Sequence, residues 1–344
     1  MTFPSTPLPR WFGALLLAVL VGRLAPAQAQ VNALTTLFAQ IRTTTQWPVD
    51  GTGFDQMTST FGPRLRLSTG AYDWHRGIDI DAPEGASVRA VLDGTFFGIR
   101  TYADGGLTVI LQHTFPQPVV FQGRTLSQYY TFYMHLSSVD PVWQAAEAAG
   151  TRPFVARGAL IGGVGHTGSA VDDHLHLELR VGAPYSLEWQ LQNPTSVYGA
   201  NAFGFDPHVH PLWLYPPYPV SDMALTLRAK PGKTDGVVRF SCNDDQPLLN
   251  RVEVRIRRKS DNRLMASHVL DLNERTGFNA SSTAALDTVD ASKPYFSPQP
   301  FGAVSPYLTD VVIPRVFVGS LYGTKYTTQV VVYDLWGTSR TLSW

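Results

Sequence analysis

The chain has 344 residues, and 27 Lys and Arg balance 27 Asp and Glu to a formal net charge of zero. That length suggests about two domains, and neutrality argues against a nucleic-acid binder built on a broad basic surface. With 44% hydrophobic and 16% charged residues the chain reads as globular, and its single cysteine, Cys242, excludes an intrachain disulfide framework.

Arg10 precedes an apolar run from Trp11 to Gly22, and Ala27-Gln28-Ala29 stands where a small-residue cleavage site belongs. This is the pattern of a secretory signal peptide, and the run is shorter than the roughly 20 apolar residues of a spanning helix. Residues 1–29 are therefore expected to be removed. The remaining chain would be exported to the periplasm, cell envelope or medium, with no stable membrane span. Leu34, Leu37, Phe38 and Ile41 then recur at helical spacing. They predict a short amphipathic helix over about Asn32 to Thr45, inside an N-terminal arm of residues 30–50.

From residue 51 to 214, short strand-like runs alternate with Gly, Asp and Pro turns, as in Gly77–Asp81, Ser87–Leu92 and Leu107–Leu111. One helix is expected at Pro141–Ala149, ended by Gly150. The stretch from His113 to Tyr133 is longer than a compact hairpin requires, as is Asp140 to Val155, and both would lengthen the walls of a groove. Pro211 to Pro219 reads as a stiff, proline-rich linker and domain boundary. Residues 215–344 return to period two: Val252, Val254 and Ile256 share one face, opposite Arg251, Glu253, Arg255 and Arg257. Gly236–Phe240, Val311–Phe317 and Tyr326–Tyr333 read as further strands. Together they suggest a β-sandwich of immunoglobulin or fibronectin type, with a long loop over Gly277–Pro306.

The histidines carry the chemistry. Four of nine fall into three short clusters: His75-Arg-Gly-Ile-Asp79, Tyr133-Met-His135-Leu136, and Asp173-His174-Leu-His176-Leu-Glu178. Strand alternation puts His174, His176 and Glu178 on one face and Leu175, Leu177 and Leu179 on the other. Imidazole nitrogen and carboxylate oxygen are zinc ligands, and a catalytic zinc site keeps three protein ligands and one open position. Histidines that do not ligate supply proton acceptors and partners for an oxyanion.

The succession Phe61-Gly-Pro-Arg64, His75-Arg-Gly-Ile-Asp79-Ile-Asp-Ala-Pro83-Glu-Gly85, Val88 to Gly94, Tyr133-Met-His135-Leu, Gly158 to Ser169 and His174-Leu-His176-Leu-Glu-Leu-Arg180 resembles the lysostaphin-type (LytM-type) zinc metallopeptidases. The likeness runs from roughly Phe61 to Val181, about a third of the chain. It implies a mainly β fold in which an antiparallel sheet of the duplicated hybrid motif forms an open groove, here within residues 51–214. It implies one zinc ion held by His75, Asp79 and His176. His174 and His135 would serve catalysis, as general base and oxyanion stabiliser in an order the sequence leaves open. The implied activity is metalloendopeptidase hydrolysis of peptidoglycan peptides, or of a protein substrate, by metal-activated water. The alternative is a non-catalytic envelope protein or hydrolase activator that has kept the site.

Other residues fit less specific roles. Asp173 stands where the family has proline, and would orient an imidazole or cap a turn. His113 reads as a supporting or surface residue, and Glu178 either as an acceptor behind a ligand or as a partner of Arg180 or Arg89. His208 and His210 lie between prolines and read as linker residues without a zinc role. The run Gly162–Gly168 lacks the Lys-Ser/Thr of a phosphate loop, so no nucleotide is expected. Cys242 reads as a small buried apolar residue. The C-terminal domain reads as an accessory module.

Overall fold

A computed structural model describes residues 36–51, 53–66, 71–121, 123–182, 184, 207–216, 223–242, 249–272, 292–298 and 307–344. The segment read as a signal peptide, 1–29, and most of the loop read over 277–306 lie outside these residues, as does the side chain of Cys242. Among the described residues no helix is long and apolar enough to cross a membrane.

The architecture is mainly β and antiparallel. In chain order, β1 (Met57–Ser59), β2 (Gly62–Arg66), β3 (Ala71–His75), β4 (Ile78–Asp81) and β5 (Ser87–Arg89) are short. β6 (Gly94–Tyr102), β7 (Gly106–Phe121) and β8 (Arg124–Leu136) form a tall meander. Then come β9 (Ser138–Val139), β10 (Phe154–Val155), β11 (Leu160–Gly163), β12 (His174–Val181) and β13 (His208–Val209). The main sheet runs β1-β4-β12-β8-β7-β6-β10, with β13 also paired to β12. β5, β11 and β9 make a second sheet, and among the described residues β2 pairs only with β3.

The core lies against one face of the main sheet. Leu175, Leu177, Leu179 and Val181 of β12 are fully buried there, with Val109, Leu111 and Tyr133 from its neighbours. Each such aliphatic side chain contributes about 1.5–3 kcal/mol by leaving water. A helix over residues 36–41, α1, followed by a 3-10 turn at Arg42–Thr44, docks on this core. Its Phe38 packs edge-on against Phe115 and Tyr129. α2 (Pro141–Ala148) forms where expected, with the Asp140 carboxylate accepting from the Val142 N–H and Pro141 in the first turn.

Two expectations change here. Pro211–Leu214 is a fully buried 3-10 turn of this core, so the proline-rich stretch begins as packing, because Leu212, Trp213 and Leu214 are too apolar to remain in water. In the stretch from His113 to Tyr133, β7 and β8 stay paired as far as Phe121↔Arg124, a long hairpin. Tyr295–Pro298, inside the segment read as a loop, is a strand.

Residues beyond 223 form two four-stranded antiparallel sheets. One holds β14 (Ala224–Ala229), β15 (Gly236–Cys242), β19 (Tyr307–Ile313) and β18 (Tyr295–Pro298), in that order. The other holds β17 (Leu264–Asp271), β16 (Leu249–Arg258), β20 (Tyr326–Asp334) and β21 (Ser339–Ser343). Val238, Phe240, Val252, Val254, Ile256, Phe296, Val330 and Val332 fill the core between them. The run read as one strand over Val311–Phe317 breaks at Pro314, which starts the short helix α3 (Arg315–Val318). Phe61 and Trp74 belong to this second core, although in sequence they lie between β1 and β4 of the main sheet.

Candidate metal centre

The expected ligands converge because of strand register. β12 lies between β4 and β8, and His176 stands directly opposite Asp79 on β4. Cross-strand partners share a face, so the carboxylate and the imidazole meet. His176 Nδ1 is 2.7 Å from Asp79 Oδ1. His75, the last residue of β3, brings its Nε2 to 3.1 Å from the same oxygen and 3.0 Å from His176 Nδ1. Gly77 lies under this contact: a Cβ there would come within 2.4 Å of the Leu177 carbonyl oxygen and 2.6 Å of His176 Nε2.

The outer nitrogen of each imidazole is also fixed. His75 Nδ1–H donates to the Thr60 carbonyl at 2.7 Å, with the Ser59 hydroxyl at 3.2 Å, which leaves Nε2 as the inward nitrogen. His176 Nε2–H donates to Glu178 at 3.2 Å, leaving Nδ1 inward. Such outer acceptors orient metal-binding histidines and strengthen their basicity. Glu178 also accepts from Arg180 at 2.6 Å and has His208 Nε2 at 3.4 Å, so it fills both roles considered for it, with Arg180 as its salt-bridge partner.

Electrostatics follow from this packing. Burial opposes the charge of Asp79, but His75 and His176 outweigh it and hold the carboxyl well below its ordinary value. Glu178 is held down in the same way, burial being outweighed by Arg180, His208 and His176. Burial also opposes a charged His176, yet hydrogen bonds to Asp79 and Glu178 raise it to about 9.

His174 and His135 stand beside the cluster. His174 Nδ1–H donates to the Asp172 carbonyl at 2.8 Å, and its Nε2 is 3.6 Å from Asp79 Oδ1. His135 Nδ1–H donates to the Thr167 carbonyl at 2.8 Å. Its ring centre is 4.8 Å from that of His174. It adopts φ 61°, a left-handed conformation that costs a non-glycine residue free energy and that clusters at functional sites. Burial, then repulsion from His176, lowers His135 to about 4.

The remaining candidates separate. Asp173 does bind an imidazole, but that of His166, at 2.6 Å, and not one of the central rings. With Glu84 these two could also hold an ion, but the group sits at an exposed rim, and exposed acids adopt such pairs without one. His113 is a buried strut between the Asp93 carbonyl and the Thr131 hydroxyl, and burial lowers it to about 4. His208 and His210 are fully buried rather than linker residues, His210 meeting the Thr60 hydroxyl at 3.3 Å. The sequence reading missed these two with Thr60 and Thr167; Asp-Pro-His-Val-His-Pro carried the signal, as an alternating apolar and polar pair on a strand.

Residues 73–186 match the model described as peptidase family M23. That match spans about a third of the chain. A DD-carboxypeptidase/endopeptidase Mpg of Neisseria meningitidis serogroup B is 32% identical over 146 residues, 42% of this chain and 27% of the relative. An uncharacterized metalloprotease of Haemophilus influenzae is 33% identical over 128 residues, 37% of this chain and 23% of the relative. The chain thus spans about a quarter of the length of the curated relatives it matches. Among solved structures, a zinc containing peptidase from Vibrio cholerae has 28% identity and a TM-score of 0.31, covering 40% of this chain and 36% of that one. M23 peptidases are zinc-dependent, and the donor set here, two imidazole nitrogens and one carboxylate oxygen, fits that ion. Tetrahedral ligands at about 2.0–2.1 Å stand roughly 3.3 Å apart, close to the separations of 2.7–3.1 Å found here.

Proposed function

We propose that the chain is an exported zinc metalloendopeptidase acting on peptide bonds of bacterial peptidoglycan. The observation that carries this reading is the meeting of His75 Nε2, Asp79 Oδ1 and His176 Nδ1, with the outer nitrogen of both imidazoles already engaged. Zinc held there supplies a Lewis acid for the scissile carbonyl and an acidified water at neutral pH. His174 keeps a lone pair on Nε2, because its Nδ1–H is committed to Asp172, and that atom faces the ligand cluster. It accepts the proton of the attacking water and returns it to the leaving amine nitrogen. His135 enters neutral, and its Thr167 hydrogen bond favours uptake of a proton from solvent at Nε2 as charge develops. A hydrogen on its Nε2 would then support the tetrahedral oxyanion.

Export rests on the sequence pattern of residues 1–29, and the substrate class on the family and the wording of its relatives. Residues 215–344 are read as an accessory immunoglobulin-like module; the strand orders β14-β15-β19-β18 and β17-β16-β20-β21 support that. The test is digestion of purified peptidoglycan by the full chain with and without a chelator. Release of peptide products that stops on zinc removal and returns on reloading is expected. Full activity without zinc overturns the metallopeptidase reading, and a zinc-loaded chain that binds peptidoglycan without cleaving it favours a non-catalytic role.

A further inference from the structure

His75 rests on unusual foundations. Among the described residues its strand, β3, pairs only with β2, in register Gly62↔His75 and Pro63↔Trp74. A two-stranded hairpin is marginally stable in water by itself. The rings that anchor this one are Phe61 and Trp74, which meet edge-on at 5.8 Å and are 1% and 5% exposed. Both lie in the C-terminal core, with Leu249, Leu270, Leu272 and Phe296. The approach is close, since a Cβ on Gly62 would come within 2.9 Å of Leu272 Cδ2.

The segment that turns into this hairpin also touches the metal centre. Ser59 pairs in register with Asp79, and the Thr60 carbonyl accepts from His75 Nδ1 at 2.7 Å. The next residue, Phe61, is plugged into the other core, and its ring also lies tilted against that of His210, with centroids 5.3 Å apart. Residues 57–62 therefore join the sheet that carries Asp79 to the module beyond residue 223.

We infer that the C-terminal sandwich is a positioning element of the metal centre: by burying Phe61 and Trp74 it fixes the Thr60 carbonyl and the His75 ring at the separation from Asp79 and His176 that the ion requires. The inference rests on the reading of His75 as a ligand. It makes Leu272 and Phe296 remote determinants of zinc affinity. It also means that whatever strains the module is felt at the zinc.

The test uses the full chain. Leu272→Ala trims the module at the hairpin, and Leu342→Ala trims the same core from β21, three strands away in its sheet. Zinc dissociation constants come from chelator competition, with melting followed in parallel, and the visible spectrum of the cobalt-substituted chain reports ligand geometry. Leu272→Ala should weaken zinc about tenfold, within the range for groups that support metal ligands, and change the cobalt spectrum. Leu342→Ala should do neither at a comparable loss of melting temperature, and Leu272→Met should restore the wild-type values. Should Leu272→Ala not fold, Leu272→Val serves, with a smaller weakening in the same direction. Equal zinc affinity in the Leu272 variant and wild type overturns the coupling, as does parallel weakening in both alanine variants. A wild-type chain that takes up no zinc instead overturns the metal-centre reading itself.

Discussion

The two imidazoles proposed as ligands reach one point from contrasting supports. His176 projects from β12, laddered on both sides within the main sheet, and its outer nitrogen is held by Glu178 two residues further along the strand. His75 ends an isolated hairpin, and a backbone carbonyl fifteen residues away in sequence holds its outer nitrogen. One support is local and charged, the other non-local and neutral. Period-two alternation alone writes the first, whereas the second exists only when two cores close around Phe61 and Trp74. A site built this way can lose half of its geometry without any change in the sheet that carries the other half.

The largest expected effect leaves both supports intact. His174→Ala should lower kcat/KM by roughly 10²–10⁴, the usual contribution of a positioned acid–base group, while zinc content and melting temperature stay near wild type. Loss of zinc in this variant would instead make His174 a ligand. Striking the backbone packed against His176 comes next. Gly77→Ala forces a Cβ against the Leu177 carbonyl and the His176 ring, with backbone on one side unable to yield. Zinc content after dialysis should fall together with activity, and a fully loaded Gly77→Ala protein would show that the two rings can separate without cost.

Glu178→Gln addresses the sheet-borne support alone. It keeps the shape but removes the charge behind His176, and zinc affinity should drop about 10–100-fold. The loss of a buried partner for Arg180 adds destabilisation, which a melting curve measures separately. If Glu178→Gln binds zinc like wild type, the carboxylate serves Arg180 and not the imidazole.

How much of this was legible follows the same division. His-x-His with leucines between, and the strand and face assignment of Glu178, could be read from residues 174–178, because the period of a strand fixes them. The family resemblance then supplied His75 and Asp79, which the structure brings to the same place. Unreadable were the contacts that depend on closure of distant chain: Thr60 behind His75, His210 behind Thr60, and Phe61 in the far core. Pro211–Leu214 was misread for a related reason, since prolines mark a break in local structure but carry no information about burial. Asp173 shows the converse, where a carboxylate beside the histidines turns outward to His166 because β12 begins only at His174.

The smallest expected effect separates the supports by proton. In the metal-free chain His176 faces two carboxylates and is raised to about 9 from 6.5, whereas the outer partner of His75 is a neutral carbonyl. A group raised in the folded state favours folding in its charged form, so its contribution is complete below about 6.5 and disappears as pH climbs through about 9. The melting temperature of the metal-free chain should therefore decline across that window by an amount that Glu178→Gln reduces. Zinc removes the effect, because a ligating His176 must surrender the Nδ1 proton at every pH where the ion is bound. Calorimetry of zinc uptake near pH 7.5, in buffers of differing ionisation heat, should accordingly register proton release that diminishes toward pH 9. A melting temperature flat over the interval would place the proton elsewhere in the cluster and make the carboxylates behind His176 structural alone.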